Sequence, residues 1–142
     1  MQNELLHAVT RQLDKLFEGA YTIYTENVEQ GIETPCFFVG FLKTTDIPML
    51  GSRRQRTWDM QVQFIPEEKG DNTHLLNEVC ETLLEGLEWV RLEDDRLVRG
   101  IERSGTITDD ALTVLVSFSR FLIRPADPVI PMGELKVEGA VK

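Results

Sequence analysis

Residues 53–64 read RRQRTWDMQVQF, a basic knot that runs straight into strict period-two alternation. Trp58, Met60, Val62 and Phe64 fall on one face and Thr57, Asp59, Gln61 and Gln63 on the other. That is the pattern of a long, half-buried antiparallel strand. Three arginines stand at its mouth in a chain that is otherwise acidic, with a formal net charge of -9.

The segments around this strand set the fold class. From Asn3 to Glu18, Leu5, Leu6, Val9, Leu13, Leu16 and Phe17 recur at spacings of three and four, the stripe of an amphipathic helix. Gly19 is its expected C′ stop. Tyr21 to Tyr24 reads as a short strand and Thr25 to Thr34 as a connection or hairpin, after which Pro35 opens the next strand. Cys36 to Leu42 is apolar on both faces, so it is expected to be covered on both sides. Helices supply one cover, and an adjacent subunit is a candidate for the other. Lys43 to Gln55 is polar, contains Pro48 and Gly51, and is too long for a tight turn. It is expected to be an exposed, mobile loop of the kind that often carries function.

A second helix follows Asp71, Asn72 and Thr73, which offer N-cap side chains. Its buried stripe is Leu75, Leu76, Val79, Cys80, Leu83, Leu84 and Leu87, while Glu78, Glu81, Glu85 and Glu88 fall away from it and solvate the outer face. Trp89, Val90 and Leu92 begin a strand, Glu93-Asp94-Asp95 turn it, and Arg96 to Ser104 return as its partner. A turn at Thr108, Asp109 and Asp110 leads into the longest strand, Ala111 to Arg124. There Leu112, Val114, Val116 and Phe118 keep one phase, Arg120 interrupts it, and Phe121 and Ile123 take the opposite phase. Either a β-bulge near Ser119 and Arg120 restores the register or the strand leaves the sheet, and the bulge is expected.

Beyond Arg124, Pro125, Pro128 and Pro131 space an extended arm, and Leu135, Val137 and Val141 alternate with polar residues. Such a segment is either disordered in the isolated subunit, the preferred reading, or a strand that adds to another subunit's sheet edge. At 142 residues one domain is the default. The expected architecture is α+β over residues 1–124, a mainly antiparallel β-sheet with two amphipathic helices packed on one face, followed by an extended C-terminal arm over residues 125–142.

The residues offer little chemistry. Cys36 and Cys80 lie far apart in apolar runs with no Cys-x-x-Cys spacing, which reads as two buried reduced thiols. His7 and His74 lie far apart in sequence with no serine or cysteine in a nucleophile-elbow context. Glu67-Glu68, Glu93-Asp94-Asp95 and Asp109-Asp110 lack the ligand spacing of a calcium loop, and the scattered glycines form no phosphate cradle. No catalytic, cofactor or metal site is expected, and the protein is read as a non-enzyme. The negative charge argues against general nucleic-acid binding outside a local patch at Arg53 to Arg56. No apolar stretch approaches the roughly 20 residues of a membrane span, so a soluble protein made in a cytoplasm is expected. A doubly apolar strand, an exposed basic loop and an extended tail are features of a protein that assembles.

Three stretches carry a resemblance: Tyr24 to Gly31, Thr34 to Val39, and Arg53 to Phe64, following a short amphipathic N-terminal helix. With them the chain, over about residues 1 to 124, resembles the small tail terminator proteins of tailed phages and prophages of Gram-positive bacteria. The resemblance implies a virion protein of the tail, assembled in the host bacterial cytoplasm. It implies a ring, commonly a hexamer, that caps the head-proximal end of the tail tube, stops its polymerisation and offers a surface to the head–tail connector protein. It carries over no catalytic residues and no cofactor. The expected partners are the protein itself, the tail tube protein and the connector, with no nucleic-acid sequence recognition and no membrane. Arg53, Arg54 and Arg56, with Met49 and Leu50 beside them, are the expected partner interface, since arginine makes bidentate carboxylate pairs and is enriched at interfaces. Alternatives are another tail-completion or head–tail joining protein, or a small ligand-binding regulatory domain, which would need a deep apolar pocket between helix and sheet.

Overall fold

The computed structural model describes residues 1–25, 31–67 and 70–123. The expectations for the arm over residues 125–142, and for much of the connection between Thr25 and Thr34, fall outside the described residues. Two helices, α1 (Gln2–Leu16) and α2 (Thr73–Gly86), join six strands: β1 (Thr22–Tyr24), β2 (Cys36–Pro48), β3 (Arg53–Ile65), β4 (Trp89–Arg91), β5 (Leu97–Thr108) and β6 (Ala111–Ile123). The strands form one sheet in the order β1-β2-β3-β6-β5-β4, antiparallel except where β1 runs parallel to the start of β2. This is the expected α+β class.

Alternation decides which face holds the core. Trp58, Met60, Val62 and Phe64 of β3 pair across the ladder with Phe118, Val116, Val114 and Leu112 of β6, and all eight are buried. Against them pack Leu5, Ala8, Val9 and Leu13 of α1 and Leu76, Val79 and Leu83 of α2, at helical spacing. The Tyr21 ring closes one end of this core, 5.0 Å from Phe64 and 5.6 Å from Phe37 between ring centres. Among the described residues no charged or polar residue is buried.

The helix ends show how local chemistry fixes the elements. At the end of α1, Gly19 N–H donates to the Asp14 carbonyl at 2.9 Å and Glu18 N–H to the Lys15 carbonyl at 3.4 Å. That paired bonding places Glu18, with φ +53°, at the left-handed C′ position and Gly19 one residue later. The expected glycine stop is therefore displaced by one. At the start of α2 the side chain that accepts from the first turn is Asp71, from Thr73 N–H at 3.0 Å. Asn72 instead ties the helix to the β5–β6 turn through the Asp110 carboxylate at 2.9 Å. That turn is left-handed at both Asp109 and Asp110, the two-residue geometry matched to the strand twist.

α2 lies close upon β5. A Cβ at Gly100 would stand 2.5 Å from the Leu87 backbone carbonyl, which only glycine admits, and one at Gly105 would stand 2.5 Å from the Cys80 sulfur, which would have to shift. Arg103 of β5 donates from Nε to the Leu84 carbonyl at 2.6 Å, placing a cation at the negative end of the helix.

Two sequence expectations are corrected here. Lys43 to Gln55 is not a mobile loop: residues 43–48 continue β2 and pair in register with residues 54–59 of β3, leaving only residues 49–52 as the turn. Cross-strand hydrogen bonding to the strongly alternating β3 recruits a polar segment that has no strand signal of its own. Nor is there a bulge near Ser119 and Arg120, since the β3–β6 ladder runs unbroken from Phe64↔Leu112 to Arg53↔Ile123. The register shifts lie in the strands on either side, at Leu42 in β2 and at Ile101 in β5.

Candidate assembly interface

Burial on the helix-facing side of the sheet stops at the rung Thr44–Trp58–Phe118, where Thr44 Oγ1 donates to Gln2 Oε1 at 3.4 Å. Beyond that rung β2, β3 and β6 continue as a three-stranded arm in which no described residue is buried. Four further residues of strand correspond to about 13 Å of arm.

Because β6 keeps its register, the phase change in its sequence becomes a change of surface. Arg120 stays on the helix-facing side, while Phe121 and Ile123 stand on the opposite face, 62% and 72% exposed. Phe121 shares a rung with Gln55 and half-exposed Ile47, and Ile123 shares one with Arg53. At the tip Leu50 is 92% exposed beside Met49. Large apolar side chains gathered at one end of a sheet are the mark of a contact surface.

The other face of the arm is basic. Asp46, Arg56 and Arg120 share one rung, and Pro48, Arg54 and Leu122 the next. The Asp46 carboxylate meets Arg54 at 3.3 Å and Arg56 at 3.7 Å. Arg120 sits opposite Arg56, and its Nη1 is withdrawn from solvent with no acceptor among the described residues. Among the described residues one carboxylate thus shares this face with three guanidinium groups, an imbalance the fold itself does not need.

Of the five residues expected at the interface, Arg54 and Arg56 come together with Asp46, Met49 and Leu50 form the tip, and Arg53 turns to the opposite face beside Ile123. Phe121, Ile123 and Arg120 were not expected there. The signal for them was the phase break in β6, which a bulge reading concealed.

Elsewhere the doubly apolar run is covered on its second face only in part. Cys36 is buried and Phe38 stacks on Tyr24 at 5.2 Å, but Leu42 is 57% exposed at its bulge. Burial pushes the Cys36 thiol up from its ordinary pKa, and burial with the Glu81 charge does the same for Cys80, so neither is activated as a thiolate. A concavity of about 680 Å³ lies beside α1, lined by Arg11, Gln12, Lys15, Arg91, Glu93 and Asp95. It is a charged surface basin crossed by the Arg11–Glu93 pair at 3.6 Å, not the apolar helix–sheet pocket a ligand-binding domain would need. Among the described residues no group of three His, Cys, Asp or Glu side chains is placed to hold a metal, and no helix is long and apolar enough to cross a membrane.

No curated protein matches this chain. Among solved structures, one that is similar to it shares 11% identity, covering 90% of this chain and 99% of its own, with a TM-score of 0.45. The model of a family described as phage tail terminator protein matches residues 4–130, nearly the whole chain. The extent of that match shows a structural role in the phage tail, and this chain belongs to the phage tail terminator protein family.

Proposed function

We propose that this protein forms a closed ring, a hexamer, on the head-proximal end of the phage tail tube. One face of the ring binds the last tube layer. The opposite face lacks the template for a further tube subunit, so polymerisation ends, and it presents the surface that receives the head–tail connector. The protein works by steric and thermodynamic means and not as an enzyme. It assembles in the host bacterial cytoplasm and recognises no nucleic-acid sequence. Residues 1–124 act as the single assembling domain.

The observation that supports this reading best is the arm. It combines exposed apolar residues at Met49, Leu50, Phe121 and Ile123 with arginines at 53, 54 and 56. This composition is typical of protein–protein contacts, and the arm is the proposed contact to tube or neighbouring subunit. A ring follows from head-to-tail contacts whose rotation closes.

Electron microscopy of a lysate from a phage lacking this gene tests the assignment. Overlong tails or polytubes are the expected outcome. Tails of normal length detached from heads would replace the proposal with a head–tail joining role.

A further inference from the structure

We infer that ring closure is carried by ion pairing between Arg54, Arg56 and Arg120 on the arm of one copy and Glu78, Glu81 and Glu85 on α2 of the next. This rests on the ring reading above and names the partner of its basic surface. The arm holds Arg53, Arg54, Arg56 and Arg120 against Asp46, within a chain of net charge -9, so the molecule is electrically bipolar.

Among the described residues each half of the contact is short of countercharge. On the arm, Asp46 serves Arg54 and Arg56 and leaves Arg120 without an acceptor among the described residues. Guanidinium charge is delocalised over the planar head, so a carboxylate that reaches its exposed edge neutralises the whole group. On α2, Glu78, Glu81 and Glu85 are exposed on the side away from Leu76, Val79 and Leu83. They recur at spacings of three and four, a stripe of like charges that a helix carries at a cost. Among the described residues none of the three forms an ion pair, and the helix contains no lysine or arginine.

The spacings agree. Two residues along a strand separate Arg54 from Arg56 by about 6.6 Å, and four along a helix separate Glu81 from Glu85 by about 6 Å. Two opposite surfaces at different places on one chain give a heterologous contact, the kind that generates a closed ring.

The test is a charge swap in the full chain, read by light scattering with and without tail tube protein. Arg54→Glu with Arg56→Glu, and separately Glu81→Arg with Glu85→Arg, should each weaken ring formation by at least roughly tenfold. The four substitutions combined should restore it, and the wild-type ring should loosen as salt rises. Far-UV circular dichroism checks that every variant folds. A ring that survives the α2 reversal, or a combined variant no better than the single reversals, overturns this contact and leaves the ring standing. A wild-type chain that forms no ring even with tube protein overturns the ring reading and this contact with it.

Discussion

Arg120 lies directly across the β3–β6 ladder from Arg56, two like charges on one face with Asp46 as the carboxylate beside them. Like charges in opposite positions of a sheet destabilise it, and an unpartnered guanidinium nitrogen adds a desolvation cost. Arg120→Met should therefore leave the isolated subunit as stable as wild type or more stable by up to about 1 kcal/mol, while weakening assembly. Urea unfolding followed by circular dichroism measures the first effect. A loss of stability would mean that Arg120 has an intramolecular partner.

Asp46 gives the converse case. Asp46→Ala removes the carboxylate that Arg54 and Arg56 meet among the described residues and should lower stability by about 0.5–1 kcal/mol at low ionic strength. The pair members are roughly one-third exposed, so the loss should shrink at 1 M salt. An effect independent of salt would assign Asp46 a packing role instead.

The hairpin tip contributes nothing to the core. Met49→Ser with Leu50→Ser should change stability by no more than about 0.5 kcal/mol yet abolish association with tail tube protein in pull-down. Unchanged association would remove the tip from the interface.

Gly105 should be intolerant of even a methyl group, because the Cys80 sulfur occupies the space. Gly105→Ala is expected to cost about 1–3 kcal/mol. Combining it with Cys80→Ala should recover part of that loss, visible as a favourable coupling in a double-mutant cycle. Simple additivity would show that α2 shifts away from β5 instead.

Asp71 sets a pH dependence. The Thr73 hydroxyl and amide hydrogen-bond its carboxylate and hold it below the ordinary value of 3.8. A lowered folded-state pKa stabilises the fold above the unfolded value, and the contribution is lost as pH falls through the folded value. Asp71→Ala should thus lower the thermal midpoint at pH 7, with the difference from wild type closing below about pH 4. A difference that persists undiminished at pH 2 would show that the carboxylate charge is not what matters.

The sequence by itself determined what depends on neighbours along the chain. Apolar residues three and four apart placed α1 and α2 and chose their buried sides. Alternation placed β3 and its face, and Asp109-Asp110 placed the tight turn before β6. The phage tail terminator resemblance was also legible, because it rests on contiguous stretches such as residues 53–64. Tertiary structure decided what depends on pairing across distance. Lys43 to Pro48 carries no period of its own and becomes strand because β3 offers it a ladder of hydrogen bonds. The phase break after Phe118 cannot distinguish a bulge from a change of environment until the β3–β6 register is known, and the unbroken register turned Phe121 and Ile123 outward. The basic face followed in the same way, since Arg120 stands far from Arg54 and Arg56 in sequence and joins them only through that ladder. Local periodicity reports which face a residue takes within its own element; only the packing of elements reports where the core ends, and the candidate interface begins where it does.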